Sequence, residues 1–155
     1  MENKSQLALS IIVFFVILIN YYHPFEEKQG AKSNLNRADQ AIHKQYITAG
    51  RKLYIMHCAC CHQEDGTGLR KLFPPLATPG ALPHAIDRTI YIIHQGLSGE
   101  IVVNGQIYNQ PMPANKHLQD VEIAKIVTYL YTTWGGRPRT LIKAAYVNEV
   151  LKSYG

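Results

Sequence analysis

A chain of 155 residues fits one small domain with appendages. The formal charge of +5 divides as +1 over residues 1–37, +1 over 38–134 and +3 over 135–155, and a near-neutral centre without a basic, aromatic-interleaved stripe sets nucleic acid aside as a partner. All 3 cysteines lie between positions 58 and 61, which excludes a long-range disulfide framework and a zinc site built from two separated ligand pairs.

The chain opens "MENKSQLALSIIVFFVILINYYHPFEEKQG", apolar from Leu7 to Ile19 apart from Ser10, with Tyr21 and Tyr22 at its edge. Leu7 to Tyr22 would make about 24 Å of helix, short of a hydrocarbon core of about 30 Å, so a span needs snorkelling flanks. Residues 1–22 are therefore read as an uncleaved signal anchor, a transmembrane helix. A cleavable signal peptide competes, with Lys4 as its basic region, but the nearest small-x-small pair, Ala31-x-Ser33, lies far downstream. Lys4 stays inside, and both readings export the remainder of the chain. Residues 23–38, "HPFEEKQGAKSNLNRA", are polar with Pro24 and Gly30 and read as a tether.

Apolar positions at Ile42, Tyr46, Ala49/Gly50, Leu53 and Tyr54 predict a helix from about Asp39 to Cys58. It runs into "CACCH", Cys58 to His62, which reads as C-x-x-C-H, the spacing of covalent c-type haem attachment. In that chemistry two thiols reach the two vinyl groups of the porphyrin, and the adjacent histidine is held beneath the iron. Cys60 is then the surplus thiol, because pairing it with Cys58 or Cys61 gives C-x-C or C-C, which cannot span both vinyl groups. A thioredoxin-like redox pair would open a helix after a buried strand, whereas "GRKLYIMH" reads as helix. A buried, inert cysteine cluster is the plainer alternative. Haem attachment agrees with export, and places the domain on the outer, periplasmic face of a bacterial cytoplasmic (inner) membrane.

Beyond the cysteines, "QEDGTGLRKLFPPLA" is a loop rich in turn residues. "AIDRTIYIIHQG" predicts a short helix ended by Gly96. In "IVVNGQIY", Asn104-Gly105 between two β-prone runs predicts a small hairpin. "QDVEIAKIVTYLYTTWGG" is the clearest helix, with Ile123, Ile126/Val127, Leu130 and Trp134 on its apolar flank and Gly135-Gly136 as its stop. The remaining "RPRTLIKAAYVNEVLKSYG" predicts a short amphipathic helix after Pro138, capped by Thr140, with Leu141/Ile142, Ala145, Val147 and Val150/Leu151 apolar. Two roles are open to it: packing back on the domain, or docking an acidic partner or anionic lipid through Arg137, Arg139, Lys143 and Lys152.

With "GRKLYIMHCACCH", "PPLA", "QPMPA" and "LQDVEIAKIVTYLYTTWG" in this order, the chain resembles class I cytochrome c over about residues 40–134. "GLSGEIVVNGQIYNQPMP" resembles in particular the bacterial domains found beside copper nitrite reductases, quinoprotein dehydrogenases and terminal oxidases. The resemblance implies an all-α haem domain over residues 39–134, to which the anchor and a C-terminal extension at 135–155 are added. Its first and last helices would cross near Gly50 and Tyr129, with Tyr54 and Tyr129 packed around the crossing. It implies one covalent haem c on Cys58 and Cys61, with His62 as one axial ligand. Met112, between Pro111 and Pro113, matches the family's ligand methionine; the prolines restrict the backbone and remove two competing donors. Met56 lies on the same helix as Cys58 and cannot reach the other face, His94 and His117 are fallback ligands, and core filling is the plainer role for a methionine. Pro74 in "FPPLA" matches the proline whose carbonyl accepts a hydrogen bond from the ligand histidine, fixing its ring and raising its basicity; Pro75 or a plain turn are the alternatives. Many relatives hold a haem propionate with a mid-chain tryptophan, but here Trp134 ends the last helix, leaving Tyr91, Tyr108 or Asn109.

With both axial positions filled by protein, no open site remains for peroxide, dioxygen or nitric oxide, and His/Met ligation favours the reduced state relative to bis-His. The expectation is electron transport rather than enzyme catalysis: a membrane-tethered carrier between respiratory-chain partners such as an oxidase, reductase or dehydrogenase. The alternatives are a permanently bound subunit of a larger complex, or a haem enzyme or gas sensor in which Met112 is not a ligand.

Overall fold

The computed structural model describes residues 37–154. The expected anchor at 1–22, and the tether up to residue 36, lie outside the described residues. The first described helix, α1, spans Arg37–His57, two residues longer at its start than its apolar spacing required. It buries only Gly50 and Tyr54 fully, one turn apart, with Tyr46, Ile47, Leu53 and Ile55 partly buried alongside. So narrow a seam lets the polar remainder of the helix face water.

Gly50 sets the main packing contact. A Cβ there would stand 2.1 Å from the Lys125 carbonyl oxygen and 2.8 Å from the Tyr129 Cβ. Only a glycine lets α1 approach the helix that carries Lys125 and Tyr129 this closely. Tyr54 packs beside the contact, its ring 5.6 Å from Tyr129 and 5.2 Å from Trp134, as expected for a crossing of first and last helices.

A short helix, α2, comes next at Ala59–His62, and α3 at Ile86–Gln95. The hairpin forms as its Asn-Gly turn predicts: β1, Ile101–Val103, pairs antiparallel with β2, Gln106–Tyr108, and Asn104 and Gly105 take φ values of 50° and 78°. The fold is thus helical apart from this one ribbon among the described residues.

Helix α4, Asp120–Thr133, begins in a reciprocal capping box between Gln119 and Glu122. The sequence predicts one apolar flank, but Ile123, Ala124 and every residue from Ile126 to Tyr131 are buried. The reason is its position. It packs against α1, α3 and the C-terminal helix α5, Ala144–Ser153, so even polar Thr128 lies inside, accepting a hydrogen bond from the Ile142 N–H at 3.0 Å. Ile142, Val147 and Val150 join the same core, which is the packing one of the two roles open to the extension. Thr140 does not cap α5. Lys143 occupies the cap position with extended backbone and no side-chain cap, while the Thr140 carbonyl accepts from Thr132 Oγ1 at 3.5 Å.

The expected location on the cytoplasmic membrane through a spanning helix is corrected here: among the described residues no helix is long and apolar enough to cross a membrane. The physical reason lies in the helices themselves. α1 carries Lys44, Arg51 and Lys52, and the apolar surface of α4 is already covered by its neighbours.

Candidate functional site

Cys58 comes directly after α1, its N–H still bonded to the Tyr54 carbonyl at 2.8 Å, and the Cys58 carbonyl accepts from both Cys61 and His62 N–H, at 3.2 and 3.0 Å. One tight turn therefore brings Cys58, Cys61 and His62 onto a single cavity wall. Cys58 and Cys61 are half-buried and Cys60 is exposed. Burial, with the neighbouring Cys60 and Cys61, pushes the Cys58 thiol up to about 12, and burial raises Cys61 as well. Thiols held protonated are the opposite of the acidic nucleophile of a thioredoxin-like pair.

His62 is buried, and its Nδ1 lies 2.9 Å from the Pro74 carbonyl oxygen. A carbonyl only accepts, so Nδ1 carries the proton and Nε2 keeps a free lone pair. Burial holds the His62 pKa below its ordinary value, against the opposing pull of the Pro74 bond, and so favours the neutral, ligating imidazole. Two glycines bring Pro74 into place. Gly68 (φ 70°) donates its N–H to the His62 carbonyl at 2.9 Å, and a Cβ on it would stand 2.4 Å from the Phe73 oxygen and 2.7 Å from that of Pro74. Gly66 (φ 74°) lies against the Trp134 ring and accepts the N–H groups of Leu76 and Ala77 at 2.7 and 3.0 Å.

Met112 is set by backbone alone. It exchanges two hydrogen bonds with Leu97, at 2.8 and 3.0 Å, in an isolated antiparallel bridge. Gly96 (φ 79°) makes room, since a Cβ there would meet the Met112 oxygen at 2.6 Å. Asn115 Nδ2 ties the following turn to the Ile93 carbonyl at 3.2 Å.

Cys58, Cys61, His62, Pro74 and Met112 all line one cavity of about 490 Å³, together with Leu76, Leu82, Ile92, Ile93, Leu97, Ile126 and Leu130. An apolar cavity with a few convergent polar groups is how a protein holds a large flat cofactor. The fallback ligands lie outside its lining: His117 is exposed with its ring 5.3 Å from His57, and His94 is half-buried with Nδ1 buried and unpartnered; Met56, already set aside as a ligand, is 71% exposed and also lies outside it. Tyr108 is buried at the end of β2, Asn109 is exposed, and Tyr91 packs on Tyr154 at 4.6 Å; none of the three lines the cavity. Pro75 does line it, as do His84 and Arg88, which sequence reasoning passed over. Their only sequence signal was a place at the start of the helix after the proline loop.

The model of the family described as Cytochrome c matches residues 47–134. The chain is similar to cytochrome c-552 of Thermus thermophilus, 37% identical over 92 residues that cover 56% of this chain and 68% of that one. It is also similar to the cytochrome c subunit of alcohol dehydrogenase (quinone) from Gluconobacter oxydans (strain 621H), 31% identical over 105 residues, 66% of this chain and 22% of that subunit. A third relative, the gluconate 2-dehydrogenase cytochrome c subunit of Pantoea cypripedii, is 30% identical over 107 residues, 66% of this chain and 24% of that subunit. The chain thus spans about a quarter of each dehydrogenase subunit. The paired thiols, the oriented imidazole and the apolar cavity fit the covalent haem c that this family holds.

Proposed function

The chain belongs to the cytochrome c family, and on that premise we propose that it is a His/Met-ligated one-electron carrier between respiratory redox proteins, with His62 and Met112 as the iron's axial ligands. Haem c supplies an iron that gains and loses one electron. The chain supplies the rest. Cys58 and Cys61 hold the macrocycle, Pro74 fixes the His62 ring with Nε2 available, and the Leu97 bridge holds Met112 on the same cavity. The observation that carries this reading is the His62 to Pro74 hydrogen bond at 2.9 Å beside a cavity that Met112 also lines. Were His62 and Met112 both to ligate the iron, no position would be left for dioxygen or peroxide, which favours electron transfer over haem enzymology.

The test is Met112→Ala. The variant should keep haem through denaturing electrophoresis, because both thioethers are intact, yet lose the sulfur-to-iron charge-transfer band and bind carbon monoxide stoichiometrically when reduced. An unchanged spectrum rejects Met112 as ligand. The dehydrogenase-subunit relatives favour a second reading, a cytochrome bound permanently to a larger complex. Co-elution with one partner from native extracts, at all ionic strengths, would select it over a free carrier.

A further inference from the structure

Two imidazoles that take no part in holding the haem meet across the fold. His57 is the last residue of α1, and His117 stands in the turn that leads from Met112 to α4. Their ring centroids lie 5.3 Å apart, with the planes tilted by 54° rather than stacked. No protein hydrogen bond among the described residues engages either ring, whereas His62 is bonded to Pro74 and His43 to Thr132. His117 is exposed and the His57 nitrogens are not sealed from solvent, so an ion can reach both.

The backbone on each side is fixed. His57 lies between buried Tyr54 and Cys58, whose N–H bonds the Tyr54 carbonyl at 2.8 Å. His117 is followed by buried Leu118, whose N–H bonds the Asn115 carbonyl at 3.1 Å, and Asn115 is tied in turn to the Ile93 carbonyl through its N–H and its Nδ2, each at 3.2 Å. The pair is thus presented before any ligand arrives, which lowers the entropic cost of capture.

The separation suits one kind of ion. A metal–nitrogen bond of about 2.0 Å puts each ring centroid about 3.2 Å from the metal, and two such rings on a tetrahedral centre lie about 5.2 Å apart. A square arrangement would draw them in to about 4.5 Å. The C-terminal end of α1, where His57 stands, carries partial negative charge and favours a cation. Among the described residues no third histidine, cysteine, aspartate or glutamate completes the group, so water takes the rest of the tetrahedron.

We propose that His57 and His117 form a tetrahedral divalent-metal site of the zinc class, separate from the haem iron, that clips the end of α1 to the segment carrying Met112. The site uses none of the residues assigned to the haem and stands whether or not Met112 ligates iron.

Zinc chloride is titrated into the holoprotein and its His57→Gln, His117→Gln, His43→Gln and Cys60→Ser variants by calorimetry in a non-chelating buffer, and denaturant midpoints are read with and without the metal. The wild type should take up one zinc at micromolar concentration and unfold at higher denaturant when zinc is present. His57→Gln and His117→Gln should each weaken binding by about tenfold or more and lose the zinc-dependent shift, while His43→Gln and Cys60→Ser keep both. A wild type that binds no zinc below millimolar concentration overturns the site, as do His57→Gln and His117→Gln variants that bind as tightly as wild type. Loss of binding in Cys60→Ser overturns it by placing the metal on the exposed thiol, and uptake with an unchanged midpoint overturns the clip.

Discussion

The stretches 62–76 and 96–115 line one cavity and present its two candidate iron ligands, but they are built differently. On the first, the ligand side chain itself is oriented: His62 is buried, its ring is bonded to Pro74, and the loop behind it closes through Gly66 and Gly68. On the second, it is the backbone that is oriented. Met112 is suspended from Leu97 by two main-chain bonds, and its thioether is steered by packing rather than by a hydrogen bond. A side-chain bond specifies the direction of a lone pair, whereas a backbone bridge specifies only where the chain passes, leaving a flexible thioether to find its own rotamer. The histidine wall should therefore be the costlier one to disturb and the methionine wall the one that yields first.

Gly68→Ala strikes the first wall hardest. It places a Cβ against the Phe73 and Pro74 oxygens at a positive φ, and should lower unfolding free energy by about 3 kcal/mol or more in a denaturant titration, with loss of the low-spin haem spectrum. Gly96→Ala makes the corresponding insult at Met112 and should cost about 2 kcal/mol, abolishing the charge-transfer band while His62 ligation survives. A larger loss for Gly96→Ala than for Gly68→Ala would break the contrast.

The smallest effect probes what the methionine wall hangs from. Leu97 lies just beyond the end of α3, and α5 braces α3 through a short hydrogen bond from Tyr146 Oη to Asp87. That bond, with a smaller contribution from burial, pushes the Tyr146 phenol up from 10.0 to about 12. Because the folded value lies above the unfolded one, the contribution is complete below pH 10 and fades as pH climbs towards about 12. Tyr146→Phe should cost about 0.5 kcal/mol at neutral pH, the group being 40% exposed, and wild type and variant should converge in alkaline titrations. A variant already as stable as wild type at neutral pH would show that α3 needs no such brace.

Local chemistry was readable from the chain wherever one residue type admits one solution. C-x-x-C-H and the Asn-Gly hairpin each announce themselves, and Gly50 was placed at the helix crossing by resemblance. What depends on neighbours distant in sequence was not readable. Thr128 and Tyr131 look like a polar flank until α3 and α5 cover them, and Thr140 looks like a cap until the chain runs on to Lys143 before turning. Gly96 reads simply as a helix stop, although its lack of a Cβ also admits the Met112 backbone. Arg88 gave no signal beyond its place at the start of a helix, because a cation there is ordinary until the cavity beside it is seen.

Cys60 has a practical consequence. On the proposed attachment, with Cys58 and Cys61 taken up as thioethers, it is the one cysteine sulfur left to react; it is exposed and belongs to the lining of the same cavity. A gold electrode or a maleimide dye offered to the mature protein would couple at this single point. Every molecule in such a film would be wired in the same orientation, with the cysteine wall of the cavity beside the contact, making this sulfur a ready-made terminal for direct voltammetry.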